Sequence, residues 1–91
     1  MRDGDLKKYF AGRLREIRKA RGLSQEDLAH EAGLHRTHVS LIERSRRAIR
    51  LETLIRLAEA LNVEPAALLP PLRLLRNGKA ARTSSRQTRT R

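Results

Sequence analysis

The chain has 91 residues, with 21 Lys and Arg against 10 Asp and Glu, for a formal charge of +11. That length holds one small domain, and 2% aromatic content means that any core is built from Leu, Ile, Val and Ala, a palette that favours helices. The absence of cysteine excludes disulfide scaffolds, thiol chemistry, Cys-ligated zinc and iron–sulfur clusters.

Taken in chain order, Leu6, Phe10, Leu14 and Ile17 recur at helical spacing, and Gly22 stands where a left-handed residue would end that first helix. Ser24 with Asp27 three residues later forms a capping-box start for a second helix, Gln25 to about Ala32, closed by Gly33. Val39 and Ile42 mark a third, roughly Arg36 to Arg44, with His35 expected to help cap it. Leu51, Leu54, Ile55, Leu57, Ala58 and Leu61 mark a fourth, stopped by Asn62. Pro65 opens a short fifth helix through Leu69, which Pro70-Pro71 must end. No stretch alternates like a strand. The expected fold is therefore an all-α, compact five-helix domain over residues 1–72, followed by a flexible basic tail over 73–91.

Charge is unevenly spread. Residues 1–75 carry 15 basic and 10 acidic side chains, whereas residues 76–91 carry six basic and none acidic. The stretch from Arg76 lacks large apolar residues, so it is expected to be disordered, either as a solvated terminus or as an arm that neutralises phosphates. A second concentration sets Arg36, Arg44, Arg46, Arg47 and Arg50 against one acid, Glu43. The longest apolar run, Ala66 to Leu69, is far below the roughly 18 residues of a membrane span, and the first residues have no apolar signal core. A cytoplasmic chain with no membrane association is the expectation.

The informative unit is Ser24 to Arg44: a capped short helix, a glycine turn and a second short helix, which is helix-turn-helix spacing. With Val39 and Ile42 turned to the core, Thr37, Ser40, Leu41 and Arg44 point away, and Arg36 flanks them. That face suits a DNA major groove. Arg36 can donate in a fork to guanine, Thr37 and Ser40 can bond either base type, and Leu41 can touch a thymine methyl. Arg44, Arg46, Arg47 and Arg50 are candidates for phosphate.

The run Leu23-Ser24-Gln25-Glu26-Asp27-Leu28-Ala29-His30-Glu31-Ala32-Gly33-Leu34-His35-Arg36-Thr37-His38-Val39-Ser40-Leu41-Ile42-Glu43 resembles the Cro/C1-type (XRE) family. Within that family, its pattern looks most like the controller proteins of restriction–modification systems. The resemblance extends through Leu51 to Leu69 and implies a lambda-repressor-like fold and DNA binding. It implies that Gln25 contacts phosphate and braces the first residue of the recognition helix, and that Arg36, Thr37, Ser40 and Leu41 take base-facing positions. It also implies an ion pair between Arg18 and Glu43. Two departures stand out: Ser45 occupies a position where the family commonly has Gly, and Arg50 one where it tends to have Ser, Thr or Pro before the fourth helix.

One recognition helix touches few bases, so a homodimer on a palindromic duplex is expected, with half-sites about 34 Å apart. Leu61, Val63, Leu68, Leu69, Leu72, Leu74 and Leu75 exceed what one small core can cover and form the expected self-contact; the bland alternative is that they close the core over the first helix. His30, His35 and His38 have no third ligand converging on them, so no metal is expected, nor any other cofactor or small-molecule effector. Without a nucleophile motif or a phosphate-binding glycine loop, the chain does not read as an enzyme. Scarce aromatics argue against single-strand and RNA binders that stack bases. Three readings stay open: a sequence-specific transcriptional regulator (a restriction–modification controller or another repressor), a protein-interaction or antitoxin module, and a nonspecific nucleic-acid binder.

Overall fold

In the computed structural model, residues 1–76 are described, and they form five α-helices and one 3₁₀ turn with no strand among them. The first helix, α1, runs Asp3–Ala20, with Asp3 and Asp5 in its first turn and Arg18 and Lys19 in its last, matching the sign of the helix dipole at both ends. α2 is Gln25–Ala32, α3 is Arg36–Glu43 and α4 is Leu51–Leu61. The 3₁₀ turn spans Pro65–Leu68, and α5 spans Leu72–Arg76.

α2 is the hub. It packs on α3 and α4 while α1 lies against α3, and the 3₁₀ turn closes over α1 and α4. Leu14, Leu28, Val39, Ile42, Leu57, Leu61 and Leu68 are fully buried, each such side chain stabilising the fold by about 1.5–3 kcal/mol. Ala29 and Ala32 on α2 are also buried, and their small size lets neighbouring helices approach.

The first four helices end in one geometry. Leu23 N–H donates to the Arg18 carbonyl, Leu34 N–H to Ala29, Arg46 N–H to Leu41 and Val63 N–H to Ala58, each over the six-residue span of a Schellman closure. The pivot residue has positive φ every time: Gly22 at 72°, Gly33 at 71°, Ser45 at 59° and Asn62 at 58°. This settles the loop after α3, where Ser45 takes the left-handed conformation without the freedom of glycine.

Two expectations are revised at the C-terminal side. The segment after Pro65 is a 3₁₀ turn ending at Leu68, because Leu69, preceding Pro70, is forced into extended backbone (φ −107°, ψ 154°). The Pro pair ends that segment as expected, but a further helix, which the sequence did not announce, begins directly after it. The Pro71 carbonyl accepts from the Leu74 and Leu75 N–H groups and starts α5, so the expected boundary at residue 72 falls on the first residue of a helix. The tail expected over 73–91 thus begins as helix, and residues 77–91 lie outside the described residues.

Candidate nucleic-acid interface

α2 and α3 are held at a fixed angle by a short joint. The Ser24 hydroxyl accepts from Asp27 N–H (2.9 Å) and the Asp27 carboxylate accepts from Ser24 N–H (3.0 Å), which closes the capping box. The Ser24 backbone N–H, followed by its side chain, holds the Asp27 carboxyl below the usual carboxylate range. At the other end of α2, Gly33 turns the chain, and Leu34 packs on the core before α3 starts at Arg36.

On α3, Val39, Ile42 and Glu43 are buried. Arg36, Thr37 and Arg44 are exposed, and Ser40 and Leu41 are half-buried beside them. Among the described residues, no side-chain hydrogen bond engages Arg36, Thr37, Ser40 or Arg44. Their donors face outward and are uncommitted. Arg46, Arg47 and Arg50 are likewise exposed in the connection to α4.

The one acid in this stretch is removed from the surface. Arg18 Nε and Nη2 donate to the two Glu43 carboxylate oxygens at 2.6 and 2.9 Å, a forked pair with both side chains buried. The bond to Glu43 raises the Arg18 pKa, against the opposing effect of burial. Arg18 Nη1 also donates to the Leu23 carbonyl (2.8 Å), so one guanidinium ties α1, the α1–α2 joint and α3 together.

Gln25 differs from expectation. Its Nε2 donates to Glu43 Oε1 at 3.1 Å, so the amide braces the C-terminal end of α3 and not Arg36 at the N-terminal end. Arg15, which the sequence reading passed over, donates through Nη2 to the Glu43 carbonyl at 3.0 Å and caps the negative end of α3. Its signal was present: Arg15 lies three residues before Arg18, one turn along α1. Arg13 was missed too. Its Nε donates to the Ala67 carbonyl at 3.0 Å and pins the 3₁₀ turn to α1.

His35 sits at the N-cap of α3 but makes no side-chain cap bond, contrary to expectation. Burial pushes the His38 pKa down, and nearby Arg47 and His35 add to the effect. Among the described residues, no cluster of three His, Asp or Glu could hold a metal. No helix there is long and apolar enough to cross a membrane.

Of the residues expected to make a contact between copies, Leu61 and Leu68 are 1% and 0% exposed. They belong to the protomer's own core and are withdrawn from that surface. Val63 is half-buried against the core, whereas Leu69, Leu72, Leu74 and Leu75 are exposed.

The helix-turn-helix family profile matches residues 14–68, from the middle of α1 to the end of the 3₁₀ turn. Control protein C.SmaI of Serratia marcescens is 46% identical over 65 residues, covering 71% of this chain and 77% of that protein. The crystal structure of the restriction–modification controller protein C.AhdI from Aeromonas hydrophila matches with a TM-score of 0.68 at 46% identity, over 69% of this chain and 96% of that one. That of the hypothetical transcription factor NHTF from Neisseria matches with a TM-score of 0.71 at 40% identity, over 84% and 90%.

Proposed function

The chain belongs to the Cro/C1-type helix-turn-helix family of transcriptional regulators, and from that premise we propose that it reads a specific duplex sequence as a dimer and controls a restriction–modification system. The observation that carries this reading is the outward face of α3, whose Arg36, Thr37, Ser40 and Arg44 donors have no partner within the described residues while its one acid is buried and paired. A solvated helix has no need of that arrangement. A helix entering the major groove does, because free donors and a thymine-sized apolar contact at Leu41 discriminate base pairs and an uncompensated carboxylate would repel the backbone.

In this reading Arg36 forks onto a guanine, Thr37, Ser40 and Leu41 read neighbouring bases, and Arg44, Arg46, Arg47 and Arg50 neutralise flanking phosphates. Gln25 reaches phosphate with the amide atoms it does not use on Glu43. The two-fold arrangement places two α3 helices about one turn of DNA apart, roughly 34 Å, on an inverted repeat.

Selection of random duplex DNA by the full-length chain at about 150 mM salt tests this, with an Arg36→Ala, Ser40→Ala variant in parallel. An inverted repeat that the variant loses or changes is the expected result. Binding at low salt with nothing enriched would overturn base reading in favour of nonspecific binding. Absence of DNA binding alongside a stoichiometric protein partner would favour an interaction or antitoxin module.

A further inference from the structure

α1 carries a cationic face that neither the core nor the base-reading surface uses. Phe10, Ala11, Leu14 and Arg18 turn inward, which leaves Lys8, Gly12, Arg15 and Lys19 exposed along the opposite side of the helix. An open notch of about 520 Å³ lies there, lined by Gly12, Tyr9, Arg13 and Glu16 beside the three cations. Glu16, the one acid on its wall, is held by Arg13 Nη1 at 2.8 Å, and Asp5, the other acid on this side of α1, lies beyond the notch in the first turn. Among the described residues, Lys8 and Lys19 have no ion-pair or side-chain hydrogen-bond partner. Arg15 Nε is 3.9 Å from the Glu43 carboxylate, which Arg18 already forks.

Two observations give this face a direction and an occupant. Arg15 joins it to α3: its Nη2 donates to the Glu43 carbonyl at 3.0 Å, at the end of the helix that Arg44, Arg46 and Arg47 follow, all three exposed. The cations of α1 thus continue the charged flank of the base-reading surface. Gly12, in turn, has no local reason to be glycine. Its φ is not left-handed and a Cβ there would meet no atom of the chain within 4 Å, although glycine inside a helix is less stable than alanine. The bare backbone instead lets another molecule come close to the helix.

We propose that this flank of α1 is a second phosphate-binding surface, on which Lys8, Arg15 and Lys19 engage the duplex outside the half-site that α3 reads, with the strand backbone approaching at Gly12. Lys8 and Lys19 are eleven residues apart, about 16 Å along the helix. Duplex DNA presents one charge per roughly 1.7 Å of its axis, so a row of that length meets several phosphates. Such contacts carry affinity without sequence information. The inference rests on the DNA-binding reading above and extends its footprint.

The test is a salt-dependent titration of the full chain on two duplexes, one ending at the edges of the selected site and one with about ten flanking base pairs on each side. The chain is expected to bind the flanked duplex more tightly. Lys8→Ala with Lys19→Ala should remove that gain, weaken binding to the flanked duplex about tenfold or more, and lower the salt slope by about 2 for each bound copy, with the enriched sequence, the short-duplex affinity and the melting temperature unchanged. Arginine at both positions should restore the gain. Arg15 is left in place because it also caps α3. Gly12→Leu should melt higher yet lose the gain. No gain in the unaltered chain, or a gain that survives either the double alanine or the leucine substitution, would overturn the proposal. Loss of bridging between two separately labelled duplexes, with the flank gain intact, would overturn it in favour of a second DNA molecule. A flank gain on random duplexes when no sequence is enriched keeps this surface and loses the operator reading, whereas an enriched repeat without the gain does the reverse.

Discussion

Ser45 holds a backbone conformation that costs an L-residue roughly 1–2 kcal/mol, and it does so at the end of the helix whose outer face is left free (φ 59°). Ser45→Gly is therefore expected to stabilise the fold by about 0.5–1 kcal/mol after the entropy that glycine adds to the unfolded chain, read as a melting temperature higher by a few degrees. Gly22 and Gly33 announced the same turn in the sequence, because glycine is the residue that adopts it freely. Ser45 gave no such signal by its own residue type; only the glycine that the family commonly has at that position pointed to the turn. The Arg18–Glu43 pair calls for a different test. Removing one partner leaves the other charged and buried, so Glu43→Ala should cost about 3–5 kcal/mol in chemical denaturation, and Arg18→Met combined with Glu43→Leu should recover much of it. The family pattern pointed to this pair, but not to Gln25 and Arg15 joining it, because spacing along a helix does not say which donor wins a shared carboxylate.

At the scale of elements, the helices differ in how they begin. α2 has a complete capping box, whereas α4, with Arg50 at its N-cap, has no side-chain cap for its first N–H groups. Arg50→Ser should supply that cap and raise stability by about 1 kcal/mol, while lowering affinity for duplex DNA if Arg50 meets a phosphate. A thermal melt and a binding titration on one variant should thus move in opposite directions, and equal or stronger DNA binding would remove Arg50 from the phosphate contacts. Helices α1 to α4 were legible from apolar periodicity and stop signals. The segment at Pro65–Leu68 was legible in place but not in its 3₁₀ type, and α5 was not legible: Pro70 and Pro71 read only as terminators, whereas the Pro71 carbonyl also serves as the first acceptor of a new helix.

Across the whole molecule, the proposed division between base reading and charge neutralisation would set the response to salt. Replacing Arg46 and Arg47 together by Ala should weaken binding alike on operator and random duplexes and reduce the slope of log affinity against log salt by about 2, whereas Arg36→Ala should alter the preferred sequence. A slope unchanged by the double substitution would show that these side chains do not reach phosphate. The all-helical fold and the outward face of α3 were readable in advance, but the division of leucines was not, because an apolar position looks the same whether it faces its own core or a second copy. Leu61 and Leu68 went inward; Leu69 and Leu72 did not. The four sharply closed helix ends have a further consequence, a kinetic one. They join successive helices through connections of a few residues, so most contacts form between segments near in sequence, and chains of such low contact order fold in roughly microseconds to milliseconds. On the dimeric reading proposed above, a freshly synthesised copy would be folded almost at once, and the delay before it acts would be the time needed to meet a second copy, which shortens as the protein accumulates.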